Sequence, residues 1–82
     1  MHWKIQLHWQ IQKLIEVSHE LQRTGTTGAG VEKQIAAAFV LNRMEFLPDS
    51  YPDVLEAWNH IADWQGAVKS IKRDYMHLIR KR

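Results

Sequence analysis

The sequence contains no cysteine. No disulfide can staple the fold, and no thiolate can act as nucleophile or metal ligand. That absence suits a reducing compartment. There are only two prolines and four glycines, and three of the glycines fall between residues 25 and 30. Little else in the chain interrupts regular structure. No apolar run approaches the ~20 residues that a membrane span requires. The longest, 35–41, has seven residues, three of them alanine. The N-terminus lacks the basic-then-apolar order of a secretory leader. These absences predict a complete cytoplasmic protein without a membrane span.

Basic side chains are missing from one stretch altogether. Residues 45–63 carry five acidic groups (Glu45, Asp49, Asp53, Glu56, Asp63) and no lysine or arginine. Residues 64–82 reverse the balance, with six basic side chains against Asp74 alone. The overall net charge is only +2, so this asymmetry is local, of the kind that sets partners rather than solubility.

With 82 residues the chain is a single domain. A domain this short has a thin core and commonly needs a disulfide, a metal or a second copy to support it. The first is excluded and the five histidines are scattered, which leaves self-association. The 45% apolar and 24% charged fractions are those of a globular chain and exclude intrinsic disorder. Four tryptophans are many for this length. They are efficient fillers of a small core, and they are also enriched at binding hot spots.

The opening residues fit two periods. Trp3, Ile5, Leu7, Trp9 and Ile11 alternate with polar residues as in a half-buried strand. Trp3, Leu7, Ile11, Leu14, Ile15, Val17 and Leu21 also share one helical face. The second pattern continues where the first stops, and a lone strand would need a second copy to pair with. A helix over 2–23 is predicted. It leaves Ile5 and Trp9 on the opposite side, as an apolar second face.

Residues 24–30 read Thr-Gly-Thr-Thr-Gly-Ala-Gly, a loop whose Gly25 is placed to close the first helix. Neither phosphate-binding glycine pattern is present, and no strand precedes the loop. Residues 31–44 are apolar almost all round, which predicts a central, buried helix that Pro48 brings to an end. Ser50 and Asp53 suggest a capping box, with Pro52 in the first turn. Val54, Ala57, Ile61, Trp64, Val68, Ile71, Tyr75 and Leu78 then recur at spacings of three and four. This heptad-like stripe predicts a long helix over 51–80, preferably continuous. Asp63 and Gly66 mark 63–66 as the place where it would break.

Chemistry is poorly provided for. No two histidines stand four residues apart on a helix, so no zinc-binding pair is formed. Ser18, Ser50 and Ser70 are the available serines, and none lies in a Gly-x-Ser-x-Gly turn. No enzymatic activity, metal or cofactor is expected.

The chain therefore reads as an all-α domain over residues 1–82. It has three helices, or four if the last one breaks, and is completed by self-association. The expected function is that of a non-enzymatic protein–protein interaction module, a small homodimeric adaptor, regulator or inhibitor of a larger protein. Trp3, Ile5, Trp9, Trp58 and Trp64 are the expected interface residues. The alternative is a nucleic-acid-binding accessory protein that neutralises phosphates with Lys69, Lys72, Arg73, Arg80, Lys81 and Arg82.

Overall fold

The computed structural model describes the backbone of residues 2–80 and the side chains of residues 8–79. The expectations placed on the side chains of Trp3, Ile5, Arg80, Lys81 and Arg82 lie outside the described residues. Among those described, the chain is helical and has no strand. Helix α1 spans His2–Thr24 and α2 spans Val31–Leu41. A short 3-10 turn follows at Met44–Phe46, and α3 spans Val54–His60. A second 3-10 turn, Ala62–Trp64, leads into α4, which covers 65–80. The alternating opening residues are thus part of a helix.

Each helix end has a local cause. Gly25 adopts the left-handed conformation (φ 80°), and its N–H bonds the Leu21 carbonyl at 2.8 Å, which closes α1. Helix α2 ends three residues earlier than the sequence suggests. The stop is Asn42, also left-handed (φ 57°). Arg43 N–H bonds Ala38 O at 3.0 Å and Asn42 N–H bonds Phe39 O at 3.2 Å. These two bonds form a Schellman motif, which asparagine tolerates almost as well as glycine. Pro48 is not needed as terminator.

Helix α3 begins after Pro52, and its N-cap is Asp53 rather than Ser50. The Asp53 carboxylate accepts from the N–H of Leu55 at 2.9 Å and of Glu56 at 3.2 Å. Aspartate is as good a cap as serine. The proline also disfavours helical geometry at Tyr51, so the helix does not extend back through that residue.

The continuous helix expected over 51–80 is interrupted at 61–64. Two glutamines make that interruption tolerable. Gln65 Nε2 donates to Trp58 O at 2.8 Å, across the break. Gln10 Nε2, on α1, donates to Asp63 O at 2.9 Å. Carbonyls that a continuous helix would satisfy are satisfied here by side-chain amides.

A second irregularity lies inside α4. Residues Ile71–Tyr75 form a π-helical turn between the α-helical parts Gln65–Ser70 and Met76–Arg80. A π turn adds one residue to the helical period. The inward stripe therefore runs Trp64, Val68, Ile71 and then Met76 and Ile79, not Tyr75 and Leu78. Ile79 is buried and Met76 packs against the core, whereas Tyr75 and Leu78 are exposed.

The core sits around α2. Ile35, Ala36, Ala37, Ala38 and Val40 are fully buried. The three alanines let α1, α3 and α4 approach this helix closely, and all three contact it. Leu14, Ala57, Ile61, Trp64, Ala67, Val68, Ile71 and Ile79 complete the main cluster, and Val17, Leu21 and Ala37 form a smaller one. The radius of gyration is 11.8 Å, against about 12 Å expected for a folded domain of this length. The chain closes its principal core by itself.

Candidate interaction surface

The three described tryptophans expected at an interface occupy different environments. Trp64 is 6% exposed and belongs to the core. Its ring is met by Trp9 at 5.8 Å with a 47° tilt, and Lys33 Nζ lies 5.4 Å from its centre. Trp58 is half-buried and meets Phe39 edge-on at 5.0 Å. Both rings serve packing in the single chain. Trp9 is different: it is 52% exposed, held in place along one edge by Trp64.

Other large apolar side chains are also outside. Leu55 is 74% exposed, and Val31, Val54, Tyr75 and Leu78 are exposed to lesser degrees. Leu55 follows directly from the capping of α3. With Asp53 fixing the helix start, Ala57 and Ile61 point inward and Leu55 points away from them. Tyr75 and Leu78 follow from the π turn. Neither exposure could be read from the heptad-like spacing, because that spacing assumes an uninterrupted α-helix.

The cations of α4 fall into two groups. Lys69 and Arg73 are exposed, Lys69 in the first α-helical part and Arg73 within the π turn. Arg73 also pairs with Asp74 at 3.0 Å on the open surface, an arrangement that contributes little to stability. Lys72 points elsewhere. Its ammonium donates to Phe39 O at 2.9 Å, at the C-terminal end of α2. Helix α2 has no basic residue in its own last turn, so Lys72 supplies the cation that complements its dipole. His19 does something similar on the other side: its Nε2–H donates to Leu78 O at 2.8 Å and ties α1 to the end of α4.

The acidic segment is largely on the surface. Asp49, Asp53, Glu56 and Asp63 are exposed. Glu45 is bridged by Arg43 at 2.7 Å. A hydrogen bond from its own backbone N–H, and then the Arg43 guanidinium, hold its carboxyl below the usual glutamate range.

Among the described residues, no three His, Cys, Asp or Glu side chains come together as a metal site. No described helix is long and apolar enough to cross a membrane. A shallow groove along α1 is open to solvent and lined by Lys13, Glu16, His19, Glu20 and Arg23. Its opposite charges neutralise one another. The chain matches no protein-family model, and no curated protein and no solved structure is significantly similar to it.

Proposed function

We propose that this chain is a non-enzymatic protein–protein interaction module. It self-associates through its C-terminal half and offers the Trp9 side of α1 to a partner protein. The observation that carries this reading is the exposure of Trp9. A ring of this size left half outside a closed core, and oriented by a buried neighbour, has the character of a binding anchor. Leu55, Tyr75 and Leu78 add apolar surface that the single chain does not use. Nucleic-acid binding is the second reading. It is weaker because Lys72 is engaged by α2.

Light scattering coupled to size exclusion, at low and high salt and with or without a short DNA duplex, tests both. A mass of twice the 9.7 kDa chain, retained at high salt and indifferent to DNA, supports the module. A monomer that joins DNA only at low salt replaces it with the nucleic-acid reading.

A further inference from the structure

The two surfaces that this chain leaves unused differ in charge and match in character. The outer side of α3 presents Leu55, the most exposed large apolar side chain among the described residues, beside Glu56 and close in sequence to Asp49 and Asp53. Helix α4 exposes the cations Lys69 and Arg73 and the apolar side chains Tyr75 and Leu78. One is an apolar side chain among acidic groups, the other a pair of apolar side chains near Lys69 and Arg73. Asp74 is the only acid on α4 and is occupied by Arg73. The π turn creates the second surface: in an unbroken helix Tyr75 and Leu78 would take the core positions that Met76 and Ile79 hold.

We propose that a second copy of this chain covers both surfaces. The acidic outer side of α3 in one copy seats on the basic outer side of α4 in the other, with Leu55 against Tyr75 and Leu78. Each copy carries both halves of the contact, and the proposed dimer is the closed twofold arrangement in which it is made twice. Opposite charges select this pairing over like-with-like, and the apolar contacts hold it. The occupant is a second copy rather than DNA because a phosphate backbone would leave Tyr75 and Leu78 uncovered.

The inference rests on the self-association proposed above and is tested by charge exchange. Glu56→Lys and Arg73→Glu are purified separately, their folding is checked by circular dichroism, and their dimerisation is followed by sedimentation. Each variant alone sets like charges against each other in both contacts, and its dimer is expected to weaken by about tenfold or more. An equimolar mixture restores opposite charges in both contacts and is expected to recover the dimer as a heterodimer. Lys69→Glu replaces Arg73→Glu should loss of the Asp74 pair disturb the turn. Leu55→Ser is expected to weaken the dimer without rescue by either partner. If the natural chain dimerises and none of these variants changes it, or if mixing brings no recovery, this pairing is wrong and self-association uses another surface. If the natural chain is monomeric at every concentration, self-association itself falls and this inference with it.

Discussion

Trp9 and Trp64 sit with ring centres 5.8 Å apart, yet one is half exposed and the other is buried. The buried ring belongs to the fold and positions the exposed one, which divides their roles. Trp64→Ala removes a large core side chain and is expected to cost about 3–5 kcal/mol. That is a large share of the roughly 5–15 kcal/mol that holds a domain folded. Trp9→Ser removes a half-exposed ring and is expected to cost about 2 kcal/mol, half of a full burial plus one aromatic pair. Urea denaturation of the two variants checks the contrast. Equal losses would place Trp9 in the core and remove it from the proposed surface.

The break between α3 and α4 depends on side-chain amides. Gln10 is almost fully buried and reaches Asp63 O, 53 residues away in sequence. Gln10→Leu is expected to destabilise by about 1 kcal/mol, because Asp63 O loses a partly buried hydrogen bond. Hydrogen exchange is expected to rise first at the 61–64 turn. Uniform exchange across all four helices would mean that this bond does not hold the turn.

Ser18 points the opposite way. It is fully buried on α1 among Leu14, Val17 and Leu21, and its hydroxyl makes no hydrogen bond within the protein. Ser18→Ala removes an unpartnered polar group and improves helix propensity. It is expected to stabilise by about 1 kcal/mol, seen as a higher midpoint in thermal unfolding. A loss of stability would show that the hydroxyl has a partner.

These irregular elements mark the limit of what periodicity conveys. The closing of α1 at Gly25 and the central place of α2 are legible because each rests on one strong local signal: a glycine in a loop, and an alanine-rich segment with no polar face. The stop at Asn42 is less visible, since asparagine is common and only its left-handed geometry makes it a cap. The break at 61–64 is hidden because a 3-10 turn preserves spacings of three, so Ile61 and Trp64 still point inward across it. The π turn is hidden for the opposite reason. Apolar residues occupy both candidate registers, Tyr75 and Leu78 in one and Met76 and Ile79 in the other, and only packing chooses. For the candidate surface, Trp9 stands out as an apolar residue off the main stripe. Leu55 does not, because its exposure depends on which residue caps α3.

Glu45 gives a prediction in pH. Its folded-state carboxyl titrates below the usual glutamate range, chiefly through its own backbone N–H and then through Arg43. A group depressed in the folded state contributes stability above its unfolded value and loses it as pH falls through the folded one. Carboxyl-resolved NMR titration is expected to find Glu45 among the last glutamates to protonate. In Glu45→Gln the acid-side loss of stability is expected to be slightly shallower than in the natural chain. An ordinary titration for Glu45 would mean that neither its backbone hydrogen bond nor the Arg43 bridge persists in solution.

Self-association through the C-terminal half is tested most directly by an isotope-filtered NOE experiment on a mixture of labelled and unlabelled chains. The expected result is a set of contacts between copies that joins Leu55 of α3 to Tyr75 and Leu78 of α4. Contacts confined to α1, or a chain that stays monomeric at every concentration tested, would contradict it.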